Sequence, residues 1–159
     1  MTIISKLDST VSITLTDEVR EHLMRHFTDS LPGSKFAVES PERLLQMVVD
    51  CFPEAVRSAT VSDGCKIVSV RFPFDIGICN VVPLSELTKE ELATLRTEER
   101  GEATVRCAES NRRFSTDDCQ LILDENNQVI TAYPGELAPP LPMSPEIHDP
   151  YWDEHVFIK

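Results

Sequence analysis

The chain has 159 residues, 41% of them hydrophobic and 26% charged, with a formal charge of −12 and a pI near 4.7. That length suits one domain with a real core. No stretch approaches the ~18 apolar residues that a membrane-spanning helix needs, and the acidic balance argues against a surface built on unspecific phosphate contacts.

Solubility is the first reading of the acidic excess and a basic partner the second. A local basic site remains compatible with it. The start, Met1–Asp8, is too short and too soon charged for a secretory signal, so a cytoplasmic location is expected. Cys51, Cys65, Cys79, Cys107 and Cys119 are odd in number and show no C-x-x-C pair. They read as free thiols, mostly in apolar strand-like settings.

In chain order, Val11–Leu15 alternates as a short strand does. Thr16 then caps a first helix with Asp17 and Glu18 in its first turn and Val19, Leu23, Met24 and Phe27 on one face. Asp29-Ser30 and Pro32-Gly33 close it. Ser40 caps a second helix with Pro41 at its first position. Leu44, Leu45, Val48, Cys51 and Phe52 are its expected buried stripe, and Pro53 its end. Residues 55–62 fit a strand or a helix end. Asp63-Gly64 is a hairpin dipeptide leading into a strand over residues 65–72. The run Ile76–Val82 reads as one central strand buried on both faces, with a bulge or close backbone approach at Gly77.

Thr88 and Glu91 have capping-box spacing, and a third helix is expected from there towards Gly101, with Leu87, Leu92 and Leu95 as a thin apolar edge. Residues 102–108 alternate as a strand, and 109–118 read as loop. The clearest signal is residues 119–135: two β-prone runs joined through Asp124–Gln128, with Asn126-Asn127 suited to the turn. Pairing is expected to stop at Pro134-Gly135. Residues 134–150 carry six of the eleven prolines and read as extended chain. The terminal aromatic cluster around Trp152 is expected to dock back on the domain.

These elements predict an α+β fold. It has two N-terminal helices, a mostly antiparallel sheet of five or six strands, one further helix and a proline-rich C-terminal tail. Residues 1–135 form the expected single domain and 136–159 the tail packed on it.

Two histidine groups have ligand types at spacings a metal could use. His22 and His26 stand one turn apart, but the zincin glutamate is missing and Arg25 lies between them. They read as surface histidines. His148, Asp149, Asp153 and His155 are ligand types, yet they lie in or beside the proline-rich tail. No metal and no cofactor is expected. There is no G-x-S-x-G serine and no glycine-rich phosphate loop, with five glycines in all.

The remaining chemistry is a cluster of arginines, Arg100, Arg106, Arg112 and Arg113, close in sequence to the hairpin. Thr131 and Tyr133 share one face of its second strand. If strand 102–108 neighbours the hairpin, guanidinium, hydroxyl and phenol would converge, a set suited to a phosphodiester. The plainer alternative pairs the arginines with Glu102, Glu109, Asp117 and Asp118 and makes Tyr133 an anchor of the sheet edge.

Helices followed by a mostly antiparallel sheet, with a late strand Val129-Ile130-Thr131-Ala132-Tyr133-Pro134, resemble the barnase/EndoU/RelE-like ribonuclease superfamily. The resemblance implies RNA as substrate, Thr131 and Tyr133 as catalytic residues, and Arg106 or Arg113 as phosphate binder. The competing reading is a non-catalytic interaction module, an inhibitor or adaptor, that meets a basic protein through its acidic surface and aromatic tail.

Overall fold

The computed structural model describes residues 1–30, 32–142 and 149–159. It is a mixed α+β protein. Among these residues it holds five α-helices and thirteen short strands gathered into four sheets, in place of the single five- or six-stranded sheet expected. The chain forms two compact units. One is Met1–Ile78 with Ser115–Glu136, the other Cys79–Phe114 with Leu137–Lys159. Residues 137–159, read from sequence as a tail, thus group with 79–114.

The first unit opens with a ribbon of β1 (Thr2–Ile4) and β2 (Ser12–Thr14), in which Ile3 faces Ile13. α1 (Asp17–Leu23) starts where the Thr16 hydroxyl accepts the Val19 N–H at 3.2 Å. It runs on as a tighter turn, Met24–His26. After β3 (Lys35–Phe36) comes α2 (Pro41–Cys51), with the Ser40 hydroxyl accepting from the Arg43 N–H. Its buried face is Leu44, Leu45, Val48 and Val49, while Cys51 is exposed. Residues 45 and 49 stack one turn apart as 44 and 48 do, so Val49 completes the stripe and Cys51 is left at the helix end.

Pro53 both ends α2 and heads α3 (Pro53–Ser58), at the position where a missing N–H is harmless. β4 (Val61–Ser62) and β5 (Cys65–Arg71) follow as a hairpin. Asp63 (φ 53°) and Gly64 (φ 83°) both take left-handed conformations in its turn.

The run 76–82 is not one strand. It divides into β6 (Gly77–Ile78) and β7 (Val81–Pro83), which lie in different sheets. The chain turns between them at Cys79-Asn80, where the Cys79 thiol donates to the Val81 carbonyl at 3.3 Å. The third helix is also shorter than expected: α4 is only Lys89–Leu92. Leu87 is buried but Leu92 and Leu95 are exposed, so no apolar stripe holds a longer helix. The chain instead forms β8 (Arg96–Arg100), which pairs antiparallel with β9 (Ala103–Ala108) around Gly101.

Back in the first unit, β10 (Ser115–Thr116) pairs with β6, which pairs on its other side with β3. β11 (Asp118–Asp124) and β12 (Val129–Pro134) are the foreseen hairpin, and β12 stops at Pro134. The register shifts between Ile122 and Leu123, leaving Ile130 as the extra, exposed residue of a bulge. In the turn the Asp124 carboxylate accepts the N–H groups of Asn126 and Gln128, each at 2.8 Å, and Asn127 is left-handed at φ 62°. β11 also pairs with β5 over seven residues. Val68, Val70, Cys119, Leu121, Leu123, Val129 and Ala132 turn inward to the core that holds the α2 stripe. Burying each Leu or Val there contributes about 1.5–3 kcal/mol.

The second unit closes with α5 (Pro150–Glu154) and β13 (His155–Ile158), neither of which was foreseen. β13 runs antiparallel to β7 and parallel to β9, giving the order β7-β13-β9-β8. One face of this sheet buries Val82, Ala108 and Val156 with Leu87, and the other buries Val105, Cys107 and Phe157.

Gly77 sits between two strands, and a Cβ there would run into the carbonyl oxygen of Lys35. The clash is with backbone, which cannot rotate away. Gly77→Ala is expected to cost about 1–3 kcal/mol, read as a lowered urea midpoint with an unchanged denaturant slope.

Candidate functional site

The second unit carries an open hollow of about 680 Å³ beside α4. Its floor is organised by Glu91. The capping box places this residue: the Glu91 N–H donates to the Thr88 hydroxyl at 3.2 Å, and the Thr88 N–H donates to Glu91 Oε1 at 2.9 Å. The carboxylate also collects groups from a distant loop. Arg112 donates to it through Nε at 3.0 Å and Nη2 at 2.5 Å, and the Ser110 hydroxyl donates to Oε2. The side chain is enclosed, at 11% exposure. Arg112 and Ser110, and then the Thr88 N–H, hold the carboxyl down at a pKa of about 2.

The other cation at the hollow, Lys159, donates to Glu98 at 2.8 Å. Glu98 also accepts from the Cys107 thiol at 3.3 Å and from Arg96 at 3.2 Å. Lys159 first, then the thiol, lower its pKa to about 2 as well. Burial, reinforced by Glu98, pushes the Cys107 thiol up. Both cations of the hollow are therefore tied to carboxylates of the same unit.

Two lining carboxylates are not enclosed in this way. Glu90 is exposed at the start of α4. The Glu109 side chain is 63% exposed, with Arg96 only at 3.8 Å. The hollow thus shows negative charge to solvent, with the Asn111 amide beside it. Chemically this suits a cationic group that carries hydrogen-bond donors.

The residues singled out from sequence divide between the units. Thr131 and Tyr133 lie in the first. They face Ile122 and Gln120 across the β11–β12 ladder, on the side of the sheet opposite the core, and both are half-buried. Gln120, opposite Tyr133, is buried, donating to the Gly135 carbonyl at 3.0 Å and accepting from the Ser69 hydroxyl. Arg106 and Arg113 lie in the second unit. Arg106 on β9 donates to the main-chain carbonyls of Trp152, at 2.7 Å, and Asp153. These belong to the last turn of α5, where a cation complements the helix end. Arg113 is exposed on the loop after β9.

Three of the four acids proposed as partners of the arginines pair with other arginines, while Glu102 is exposed at the turn between β8 and β9. Asp117 and Asp118 pair with Arg71, and Glu109 with Arg96.

Of the histidines, His22 is exposed, but His26 is buried rather than on the surface. Its Nδ1–H donates to the Ser34 carbonyl at 2.8 Å, and its ring meets Phe36 edge-on. Burial lowers its pKa, so the ring is neutral. His155 stacks on Tyr151 at 3.8 Å. His148 lies outside the described residues. Among the described residues no three His, Cys, Asp or Glu side chains are grouped as a metal site.

Sequence reasoning found the Glu91 cap but not its role as a hub. Ser110 and Arg112 lie 19 and 21 residues further on, and no local pattern links them to it. No protein-family model, curated protein or solved structure matches the chain.

Glu91 and Glu98 are both depressed below the ordinary carboxylate value of 4.5. Their stabilisation is present above that value and is lost as the pH falls towards about 2. Glu91→Gln is therefore expected to lower the melting temperature at pH 6, with the gap to wild type closing as the pH approaches 2. Thermal melts across that range measure it.

Proposed function

We propose that the protein is a non-catalytic interaction module that binds a basic protein segment through the hollow beside α4. One observation carries the reading: the cations there, Arg112 and Lys159, are held by Glu91 and Glu98, while Glu90 and Glu109 stay exposed. A Lys or Arg side chain of a partner would meet the exposed Glu90 carboxylate and that of Glu109, which Arg96 approaches only to 3.8 Å. The overall charge of −12 favours the approach of such a partner and makes its binding sensitive to salt.

Fluorescence anisotropy with a labelled Lys/Arg-rich peptide tests this. Binding is expected to weaken severalfold on raising salt from about 25 to about 250 mM, where the Debye length falls from roughly 20 to 6 Å. The double variant Glu90→Gln/Glu109→Gln is expected to lose about tenfold in affinity. Glu125→Gln, on the exposed hairpin turn of the first unit, serves as control and is expected to bind as wild type does. Equal binding by the double variant and the control would remove the hollow as the site.

A second reading, action on RNA phosphodiesters, is supported by one feature: Thr131 and Tyr133 share the sheet face turned away from the core, and each retains some exposure. On this reading Thr131→Ala and Tyr133→Phe reduce RNA cleavage by at least about a hundredfold, the low end of what positioned acid–base groups contribute. A cleavage rate shared by wild type and both variants would leave only the binding role.

A further inference from the structure

In the second unit, Trp152 is stacked on Phe157, with ring centroids 5.3 Å apart and planes 12° from parallel. The Arg100 guanidinium lies over the Phe157 ring at 4.0 Å. Tyr151 meets the indole edge-on at 5.0 Å. These groups, with Val81, Val105 and Cys107, make an apolar, aromatic strip along one face of the β7-β13-β9-β8 sheet.

What lies on that strip is a proline-rich stretch of the same chain. The indole N–H is shared between the carbonyls of Pro139, at 3.2 Å, and Pro140, at 3.1 Å. Leu141 packs into the cluster formed by Val105, Cys107 and Phe157. The stretch is in no helix or strand. Prolines fix φ and carry no N–H, so such chain offers its carbonyls outward with none used internally. An aromatic strip with an indole donor is the complement of that chemistry.

We propose that this strip is a binding site for proline-rich peptide, filled in cis by residues 139–142, and that a proline-rich segment of a partner binds it by displacing them. Among the described residues the cis ligand meets the strip through the shared indole hydrogen bond and the Leu141 anchor, in no strand, so a competitor with the same two features replaces those contacts. A cis ligand lowers the apparent affinity for any partner by the fraction of time the strip is free. Weakening the cis segment therefore strengthens binding in trans. The site is distinct from the acidic hollow and does not depend on that reading.

The probe is a synthetic capped peptide with the sequence of residues 136–142, Glu-Leu-Ala-Pro-Pro-Leu-Pro. A second peptide with its prolines replaced by alanine is the control. Calorimetric titration into the full-length Leu141→Asp variant is expected to show binding at least tenfold tighter than to wild type. Adding Trp152→Phe, which keeps a ring but removes the indole donor, is expected to abolish most of that gain. Trp152 is the only tryptophan, so its indole N–H resonance in wild type is expected to shift with the proline peptide and not with the control. If Leu141→Asp fails to fold, Pro139→Gly/Pro140→Gly loosens the cis segment and keeps the anchor. No tighter binding by whichever variant folds, or an indole resonance that ignores the peptide, would overturn the proposal.

Discussion

Asn127 is the residue through which three separate stretches of the first unit are held. Its left-handed backbone, at φ 62°, closes the β11–β12 hairpin. The same conformation presents its carbonyl to the Thr14 N–H at 2.9 Å. Its amide then does two further jobs, donating to the Ser12 carbonyl at 3.2 Å and accepting from Lys66 at 2.8 Å. The β1–β2 ribbon is thereby fastened to the hairpin tip, and β5 is tied to the same point. Asparagine tolerates this conformation and also offers both a donor and an acceptor. Glycine at the same point would keep the turn and lose the two side-chain ties, whereas a β-branched residue would oppose the turn itself.

The second unit uses carboxylates for the same purpose. Glu91 gathers α4 and the loop after β9, and Glu98 joins β8, β9 and Lys159. Each is a hub of several donors rather than one isolated surface pair, which alone would contribute little. This use of charge explains how the protein presents itself outward. Among the described residues Arg20, Arg57, Arg71, Arg96, Arg112 and Lys159 all pair with carboxylates. With 27 acidic residues against 15 Lys and Arg, such pairing leaves the surplus negative.

What could be read from sequence was what neighbouring residues decide. Thr16, Ser40 with Pro41, Thr88 with Glu91, and Asp63-Gly64 act within four residues of themselves, and each stands where its chemistry puts it. The errors arose where distant chain decides. Ile76–Val82 is nearly all apolar, and its one polar residue, Asn80, sits where the chain changes sheet, a signal outweighed by the apolar run around it. Arg96–Arg100 is too charged to look like a strand, yet β9 gives it a full antiparallel partner. His155–Ile158 follows five residues of helix and owes its strand to β7 and β9. Arg106 was legible as an arginine on a strand, but its partners are main-chain carbonyls 46 and 47 residues away, which no side-chain pattern announces.

The placement of β13 bears on how the chain is made. It lies between β7 and β9, which have no ladder with each other in this sheet. During synthesis β7, β8 and β9 leave the ribosome well before residues 155–158. Until those arrive, the β8–β9 hairpin and β7 carry unpaired backbone edges and apolar faces that have nothing to close on. The nascent chain therefore waits through a long stretch of translation with half a sheet, the state in which a growing polypeptide is most open to chaperones and to wrong partners.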